Sequence, residues 1–259
     1  MTLSEAAFNP KSKTEILGVL IDNLSLQEVL AKSQRLINSG QQHFIVTPNP
    51  EFIVAAQHDQ RFKEILNYAD IAVADGFGLI LAAKVLNKKL MRVTGIDLLS
   101  QLTSLSAQRG WPVYFLGGGP DIAARTAQTL NKQHTNLIIA GAVSGGVITD
   151  PAKIDQAVIQ AINRAQPKIL FVAFGHGKQE KWIFHHLDKL PSVKLAVGVG
   201  GAFDYIAGVT KRSPILIQQL GLEWLWRLIH QSWRWKRIIT AVIIFPLLVA
   251  KQKFFKTAQ

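Results

Sequence analysis

Residues 168–190 read KILFVAFGHGKQEKWIFHHLDKL, and this stretch contains the repeating unit that decides the fold. The run Lys168–Phe174 is apolar and has the length of a strand, whereas Lys178–Leu190 has the periodicity of a helix. A short glycine-containing turn, residues 175–177, separates the two. A strand that passes directly into a helix in this way is typical of a mostly parallel sheet covered by helices.

The same alternation of strand and helix extends over most of the chain. Further apolar runs of strand length are Ile16–Ile21, His43–Val46, Ile71–Ala74, Pro112–Leu116, Leu137–Ala142 and Lys194–Val199. The segments between them predict helices at Ser25–Asn38, Pro50–Gln57, Phe77–Leu86, Ile96–Ala107, Pro120–Asn131 and Pro151–Ala165. Pro50, Pro120 and Pro151 each stand where a first helical turn accepts a residue without an N–H group. We therefore predict an α/β fold with a mostly parallel, Rossmann-like sheet and helices on both faces.

The composition restricts the chemistry. The chain has 259 residues, no cysteine and a net charge of +12. Its length is sufficient for a substantial core in one or two domains. The lack of cysteine excludes a disulfide scaffold, a thiolate zinc site and a cysteine nucleophile. The positive charge predicts an anionic partner, which by charge alone is nucleic acid, anionic lipid or a phosphorylated substrate.

Half of the charge excess lies in the last part of the chain. Residues 222–259 contain seven Lys or Arg and one acid, together with four of the six tryptophans. The run Ile238–Ala250 is apolar but shorter than the ~20 residues that span a bilayer, and Pro246 interrupts it. We therefore predict an α/β domain at 1–221 and a C-terminal basic aromatic helical appendage at 222–259 that lies on an anionic membrane surface. Met1–Lys13 has no apolar signal-peptide core, so we expect a peripheral protein on the cytoplasmic face of the membrane.

Polar or glycine-rich segments follow several of the predicted strands. They are residues 47–49, 75–78, 117–121, 175–180 and 198–204. The carboxyl ends of parallel strands lie at one edge of a sheet, where α/β proteins bind their ligands. We therefore predict that these segments surround a single large cleft.

The backbone of the glycine loops has two interpretations. Their amides and the helix N-termini behind them suit a phosphate, and two such loops would suit a diphosphate with its nucleoside. They equally suit tight turns between a strand and a helix. The residues concerned are Gly117, Gly118, Gly119, Gly200 and Gly201, with the carboxylate of Asp204 nearby.

The polar side chains in these segments are similarly ambiguous. Asp75 follows an apolar strand, where it would act as a general base or as the N-cap of the next helix. Thr47 and Asn49 would bind a substrate hydroxyl or acetamido group, or cap a helix. Arg92 would pair with a phosphate or with a surface carboxylate. Gln179 would bind a sugar or uracil.

No metal site and no cofactor are predicted. His176 is isolated in its loop, and His185 and His186 have no carboxylate partners at metal-ligand spacing. An Asp-x-Asp pair at the end of a strand usually binds the divalent cation of a nucleotide sugar. None of the predicted strands ends in such a pair. A diphosphate in the cleft would then be neutralised by basic residues and loop amides.

Taken in order, several motifs form a specific set. They are TPNPEF (47–52), ADGFG (74–78), RVTGIDL (92–98), FLGGGP (115–120), KQEKWI (178–183), GVGGAFD (198–204), and KRSP (211–214) with GLEWLWR (221–227). This set resembles the WecG/TagA/CpsF glycosyltransferases, N-acetylmannosaminyltransferase-like enzymes of bacterial wall teichoic acid, common antigen and exopolysaccharide synthesis.

The resemblance implies an activity. It is inverting, metal-independent transfer of an N-acetylmannosamine-type sugar from a UDP-sugar to a polyprenyl-diphosphate-linked sugar acceptor at the membrane. By the same resemblance Asp75 is the base, and Thr47, Asn49, Arg92 and Gln179 belong to the active site. The appendage contributes arginine to that site, with Arg227, Arg234 and Arg237 as candidates. The family often has proline where this chain has Gly177, which leaves the placement of Gln179 open.

Alternatives from other classes remain at this stage. The charge permits a nucleic-acid binder, although no recognition helix or RNA-binding aromatic motif is present and an apolar run beside the cations is of no use on DNA. A dinucleotide-dependent oxidoreductase would share the sheet but would need G-x-G-x-x-G after the first strand, which is absent. The joint presence of the polar residues argues against an enzyme-like scaffold without catalysis. The sequence is compatible with a homo-oligomer and does not identify the sugar.

Overall fold

The computed structural model describes residues 13–153, 155–232 and 235–257. In chain order the strands are β1 (Lys13–Ile16), β2 (Val19–Asp22), β3 (His43–Val46), β4 (Ile71–Ala72), β5 (Val113–Gly117), β6 (Ile139–Val143), β7 (Ile169–Ala173) and β8 (Leu195–Gly198). The last six form one all-parallel sheet in the order β4-β3-β8-β7-β5-β6. The predicted α/β fold with a parallel sheet is therefore confirmed.

The helices of the α/β part alternate with these strands. They are α1 (Leu26–Asn38), α2 (Pro50–His58), α3 (Gln60–Tyr68), α4 (Phe77–Val85), α5 (Gly95–Arg109), α6 (Ile122–Gln133), α7 (Gln156–Ala165), α8 (Lys178–His186) and α9 (Ala202–Ile206). A 3-10 turn, Leu187–Lys189, follows α8. The C-terminal part adds α10 (Ile215–Gln219), α11 (Glu223–His230), α12 (Trp235–Ile239), a π-helical turn (Thr240–Ile244) and α13 (Phe245–Thr257).

Helices cover both faces of the sheet, because the central strands are apolar on both sides. Strands β5, β7 and β8 are buried along their whole length. Successive side chains of a strand point to opposite faces. Accordingly Phe171 packs with Phe115 and Phe203 on one face, whereas Val172 belongs to the cluster around Phe62 and Trp182 on the other.

One strand prediction was wrong. The run Ile16–Ile21, predicted as a single strand of the sheet, is a hairpin whose arms β1 and β2 pair antiparallel outside the parallel sheet. Leu17 and Gly18 both have positive φ, 52° and 81°. Positive φ at both central residues is the requirement of the tight hairpin turn whose twist matches the strands.

The helix starts were also predicted imperfectly. Pro50 does occupy the first turn of α2, as expected. Pro120 and Pro151 instead lie in turns, because the caps of α6 and α7 come later, at Asp121 and Asp155. The Asp155 carboxylate accepts hydrogen bonds from the first amides of α7. Helix α3 was missed altogether, although its cap Asp59 accepts from Phe62 N at 2.9 Å.

The C-terminal helices pack on the α/β part. Phe245 and Val249 are 1% and 2% exposed and belong to the same apolar cluster as residues of α2 and α4. The Leu17 amide donates to Gln252 Oε1 at 3.1 Å. Within the described ranges of the chain, no helix is both long enough and apolar enough to cross a bilayer.

Candidate active site

A large cleft of about 1080 Å³ opens at the carboxyl ends of the parallel strands. All five predicted loop segments contribute residues to its lining, so the prediction of one shared cleft is confirmed. Two sets of its lining residues are named here as its walls. The polar wall consists of the strand-end residues Thr47, Asn49, Asp75, Gln179, Gly200 and Asp204. The apolar wall consists of Phe77, Leu81 and Val85 near or on α4 and Ala241, Val242, Phe245 and Val249 near or on α13.

Asp75 lies at the entrance to α4. The preceding residue, Ala74, forms a parallel bridge with Arg92, and the Asp75 amide donates to Pro48 O at 2.8 Å. Helix α4 is capped by Gly76, with φ of 107° and no side-chain hydrogen bond. The N-cap residue of α4 is therefore Gly76 and not Asp75.

Thr47 and Asn49 both bond to the protein backbone. The Thr47 hydroxyl, 4% exposed, donates to Gly198 O at 3.0 Å and so joins the ends of β3 and β8. Asn49 is the N-cap of α2, and its Oδ1 accepts from Phe52 N at 3.2 Å. The capping interpretation thus holds for Asn49, although capping uses only the oxygen of its amide.

Gln179 connects the loops that follow β7 and β8. Its side chain is fully buried, with Oε1 accepting from Gly200 N at 3.0 Å and Nε2 donating to Glu180 Oε1 at 2.6 Å. Glu180 also accepts from Gly177 N at 3.0 Å. A Cβ on Gly198 would lie 2.8 Å from Gln179 Nε2. This packing leaves no room for a side chain at residue 198, and Gln179 holds the loops in place.

Burial perturbs Glu180 strongly. The side chain is fully buried, and this burial raises its pKa to about 7, although the hydrogen bonds from Gln179 and Gly177 act in the opposite direction. The group therefore changes charge near neutral pH, directly behind the loops of the polar wall.

The predicted glycines divide into two groups. Gly118, Gly119, Gly200 and Gly201 line the cleft together with Asp204. Gly117 ends β5 and packs against the next strand, since a Cβ there would lie 2.6 Å from the carbonyl carbon of Ala173. The amide of Gly118 donates to Ala173 O at 2.9 Å, and that of Gly200 is bonded to Gln179. These two amides are thus engaged with the protein, which reduces the expected contribution of loop amides to anion binding.

Among the described residues, three arginines of the cleft each pair with a carboxylate. Arg92 pairs with Glu223, the first residue of α11, and both side chains are part-buried in the lining of the cleft. Arg237 Nε donates to Glu51 Oε2 at 2.5 Å. The third, Arg212, pairs with Asp97. Two of these pairs join the C-terminal helices to the α/β part.

The sequence analysis did not identify Arg212 as a residue of the site. Arg212 belongs to the KRSP motif, but its partner Asp97 is distant in the chain, so no local pattern shows the pair. The side chain of Arg227 and the whole of Arg234 lie outside the described residues.

His176 packs inside the cleft against an aromatic ring. It stacks on Phe52 with ring centroids 4.4 Å apart, and its Nδ1 lies 3.9 Å from Glu51 Oε2. Burial lowers the pKa of this histidine, and the positive charges of Arg237 and Lys181 act in the same direction, while Glu51 opposes them. No group of three or more potential ligands for a metal ion occurs among the residues that the structure describes.

Known proteins match this chain over nearly its whole length. The sequence model of the glycosyl transferase WecG/TagA/CpsF family matches residues 14–259. An N-acetylglucosaminyldiphosphoundecaprenol N-acetyl-beta-D-mannosaminyltransferase of Staphylococcus aureus (strain MRSA252) is 32% identical over 247 residues, covering 93% of this chain and 94% of the relative. A Bacillus subtilis (strain 168) protein of the same name is 31% identical, covering 81% of this chain and 79% of the relative.

These matches decide between the classes considered for the sequence. A nucleic-acid binder and a dinucleotide-dependent oxidoreductase are both displaced, because the matched family and the named relatives are glycosyltransferases. The chain belongs to the WecG/TagA/CpsF family of glycosyltransferases and is an enzyme of that class.

Proposed function

We propose that this enzyme moves an N-acetylmannosamine-type sugar from a UDP-sugar to a polyprenyl-diphosphate-linked sugar. The observation that carries the proposal is a cleft whose lining combines a carboxylate, Asp75, with guanidinium groups and apolar side chains. The names of the relatives supply the acceptor class, a sugar on undecaprenyl diphosphate, and the transferred N-acetylmannosamine. The guanidinium groups suit diphosphates, and the apolar wall suits the first isoprene units.

The proposed reaction is a direct displacement. Asp75 takes the proton of the acceptor hydroxyl, and the hydroxyl oxygen attacks the anomeric carbon from the face opposite UDP. The bond from the anomeric carbon to the diphosphate oxygen breaks, and its electron pair leaves with UDP. The anomeric configuration is therefore inverted. The polar wall would position the two substrates, because Thr47 and Gln179 fix the strand-end loops that surround the reacting atoms.

We propose that this chemistry needs no metal ion. The developing charge on UDP would be stabilised by arginines. Arg92 and Arg237 line the cleft, and Arg227 and Arg234 remain candidates. Activity in excess EDTA, equal to that with added Mg²⁺ or Mn²⁺, is the expected result. A requirement for either cation would refute this part of the proposal.

The C-terminal helices are proposed to rest on anionic lipid at the cytoplasmic face of the membrane. Apolar side chains project from them into solvent, among them Ile229 at 68%, Leu247 at 66% and Phe254 at 75% exposure. Lys236, Lys251 and Lys253 supply positive charge in the same segment. Each well-placed cation near an anionic surface contributes about 1 kcal/mol. On this account residues 222–259 form the membrane-associating unit and residues 1–221 the catalytic unit.

The test is a donor screen with defined products. The purified enzyme is incubated with a short-chain polyprenyl-diphosphate N-acetylglucosamine and each of several UDP-sugars, and the products are analysed by mass and by NMR. We expect one added N-acetylhexosamine, with an anomeric configuration opposite to that of the donor. Transfer from no UDP-sugar, or retention of configuration, would contradict the proposal.

A further inference from the structure

Arg212 lies in the segment between α9 and α10 and lines the same cleft. Its guanidinium binds Asp97 in a two-pronged arrangement, with Nη1 to Oδ1 at 2.8 Å and Nη2 to Oδ2 at 3.3 Å. Both side chains retain partial access to solvent, 31% for Arg212 and 41% for Asp97. The Arg212 guanidinium is therefore fixed by Asp97 and still partly accessible from the solvent.

The anchor is itself held at the start of α5. Thr94 Oγ1 donates to Asp97 Oδ2 at 2.7 Å and accepts from Asp97 N at 3.1 Å. Burial alone would raise the pKa of Asp97, but the hydrogen bonds from Arg212 and Thr94 outweigh it and hold this pKa below its usual range. Asp97 is thus a fixed, charged partner for the guanidinium.

Donor groups of Arg212 remain after this pairing. A guanidinium has five N–H groups, and the contacts with Asp97 use two of them. Its Nε is buried, with no hydrogen-bond partner in the part of the chain that the structure describes. Arg212, Asp75 and Glu223 line the same cleft. Burial alone would lower the pKa of the guanidinium, but Asp97 and the negative charges of Glu223 and Asp75 raise it.

We propose that Arg212 binds the diphosphate of the nucleotide and that Asp97 is its positioning residue; this inference rests on the proposed function. When the bond from the anomeric carbon to the diphosphate breaks, the electron pair and a negative charge pass to the leaving oxygen, while the acceptor proton passes to Asp75. A guanidinium held in place by Asp97 meets that charge without reorganisation. Arginine suits the role better than lysine, because its planar group binds both oxygens of Asp97 and still has further N–H donors for a phosphate oxygen.

The test compares R212Q and R212K with R109Q. Arg109 is a matched control, because it lies at the exposed opposite end of α5, about 18 Å along the helix from Asp97. Calorimetric titration measures the binding of UDP, uridine and inorganic diphosphate to each protein. Steady-state kinetics with the UDP-sugar and the lipid-linked acceptor measure kcat and KM separately.

R212Q should weaken UDP and inorganic diphosphate by roughly 10- to 100-fold, the usual loss for a hydrogen-bonded charge, and leave uridine unchanged. We expect kcat to fall more than KM rises, R212K to recover part of the loss, and R109Q to resemble the wild type. A merely structural role would weaken uridine as well and lower the thermal midpoint. Unchanged diphosphate binding in a folded R212Q protein would overturn the inference.

The same measurements separate this inference from the proposed function. If the wild type binds inorganic diphosphate and R212Q does not, the role of Arg212 stands even where UDP is the wrong nucleotide. If the wild type binds UDP and transfers the sugar but R212Q does so equally well, the proposed function stands and the inference fails. A wild-type protein that binds neither UDP nor diphosphate would overturn both.

Discussion

The two walls of the cleft are held in place by different forces. In the polar wall, hydrogen bonds from the Thr47 hydroxyl to Gly198 O and from the Gly200 amide to Gln179 Oε1 join the ends of adjacent strands. In the apolar wall, α13 is held against α2 and α4 by apolar packing around Phe245. The polar wall is thus a consequence of the sheet, whereas the apolar wall depends on a distant segment of chain that must dock correctly.

The largest expected effect comes from the packing of the apolar wall. Phe245→Ala should lower the free energy of unfolding by about 3–5 kcal/mol, because it removes a fully buried aromatic side chain. Leu247→Ala is the matched control on the same helix and, being 66% exposed, should change stability by less than about 0.5 kcal/mol. Urea unfolding of both variants measures the difference. Equal effects would mean that α13 does not dock as described.

The polar wall should respond to pH through Glu180. Its folded-state pKa of about 7 is above the ordinary value of 4.5, so between these values the folded protein binds more protons than the unfolded chain. The stability contributed by this proton is fully present below pH 4.5 and is lost as the pH rises through about 7, a change of about 3 kcal/mol. Urea unfolding at several pH values should show this loss in the wild type relative to E180Q. Parallel pH profiles would contradict it.

The outer surface of the C-terminal helices should bind lipid independently of the cleft. Replacing both Leu247 and Phe254 by serine should weaken binding to vesicles with anionic lipid by at least roughly 10-fold. The reason is that burying each of these side chains in the membrane contributes about 1.5–3 kcal/mol to the free energy of binding. The control replaces Tyr68 and Val147, which are 73% and 88% exposed on the α/β part. Co-sedimentation at fixed salt compares the two variants. Equal binding by both would place the membrane contact elsewhere.

The smallest effect is expected at an ion pair in the lining of the cleft outside the two walls. Glu223 pairs with Arg92, and both side chains are only partly exposed, 20% and 23%. E223Q removes the carboxylate that competes with a diphosphate for this guanidinium, so UDP should bind about two- to five-fold more tightly, within the range of a surface ion pair. Calorimetric titration checks this. Weaker binding would instead show that Glu223 orients Arg92 for its ligand.

Much of the polar wall was predictable from local sequence. The apolar runs around Phe171 and Val197 show the buried strands, and polar residues directly after such runs must meet at one edge of a parallel sheet. Asp75 was placed correctly in the cleft for this reason. Its choice as the base came from the family resemblance and remains a prediction.

The remaining features depend on contacts between distant residues. The Arg212–Asp97 pair joins separate elements, and the amide of Gln179 is engaged by Gly200, so no pattern within one segment indicates either. The burial of Phe245 could not be predicted, because the run around it is apolar on several sides. Such a run is equally compatible with contact to lipid and with a protein core. The hairpin at Leu17 was hidden because its turn contains an apolar residue with positive φ.

The central claim is that Asp75 is the base for sugar transfer in this cleft. The most direct measurement is single-turnover product formation with the UDP-sugar and the lipid-linked acceptor, for D75N and for the exposed control D188N. The account predicts that D75N lowers the rate by about 10²–10⁴-fold, the usual contribution of a general base, while UDP binding and the unfolding midpoint stay as in the wild type. D188N should react at the wild-type rate. A D75N protein that forms product at that same rate would contradict the account.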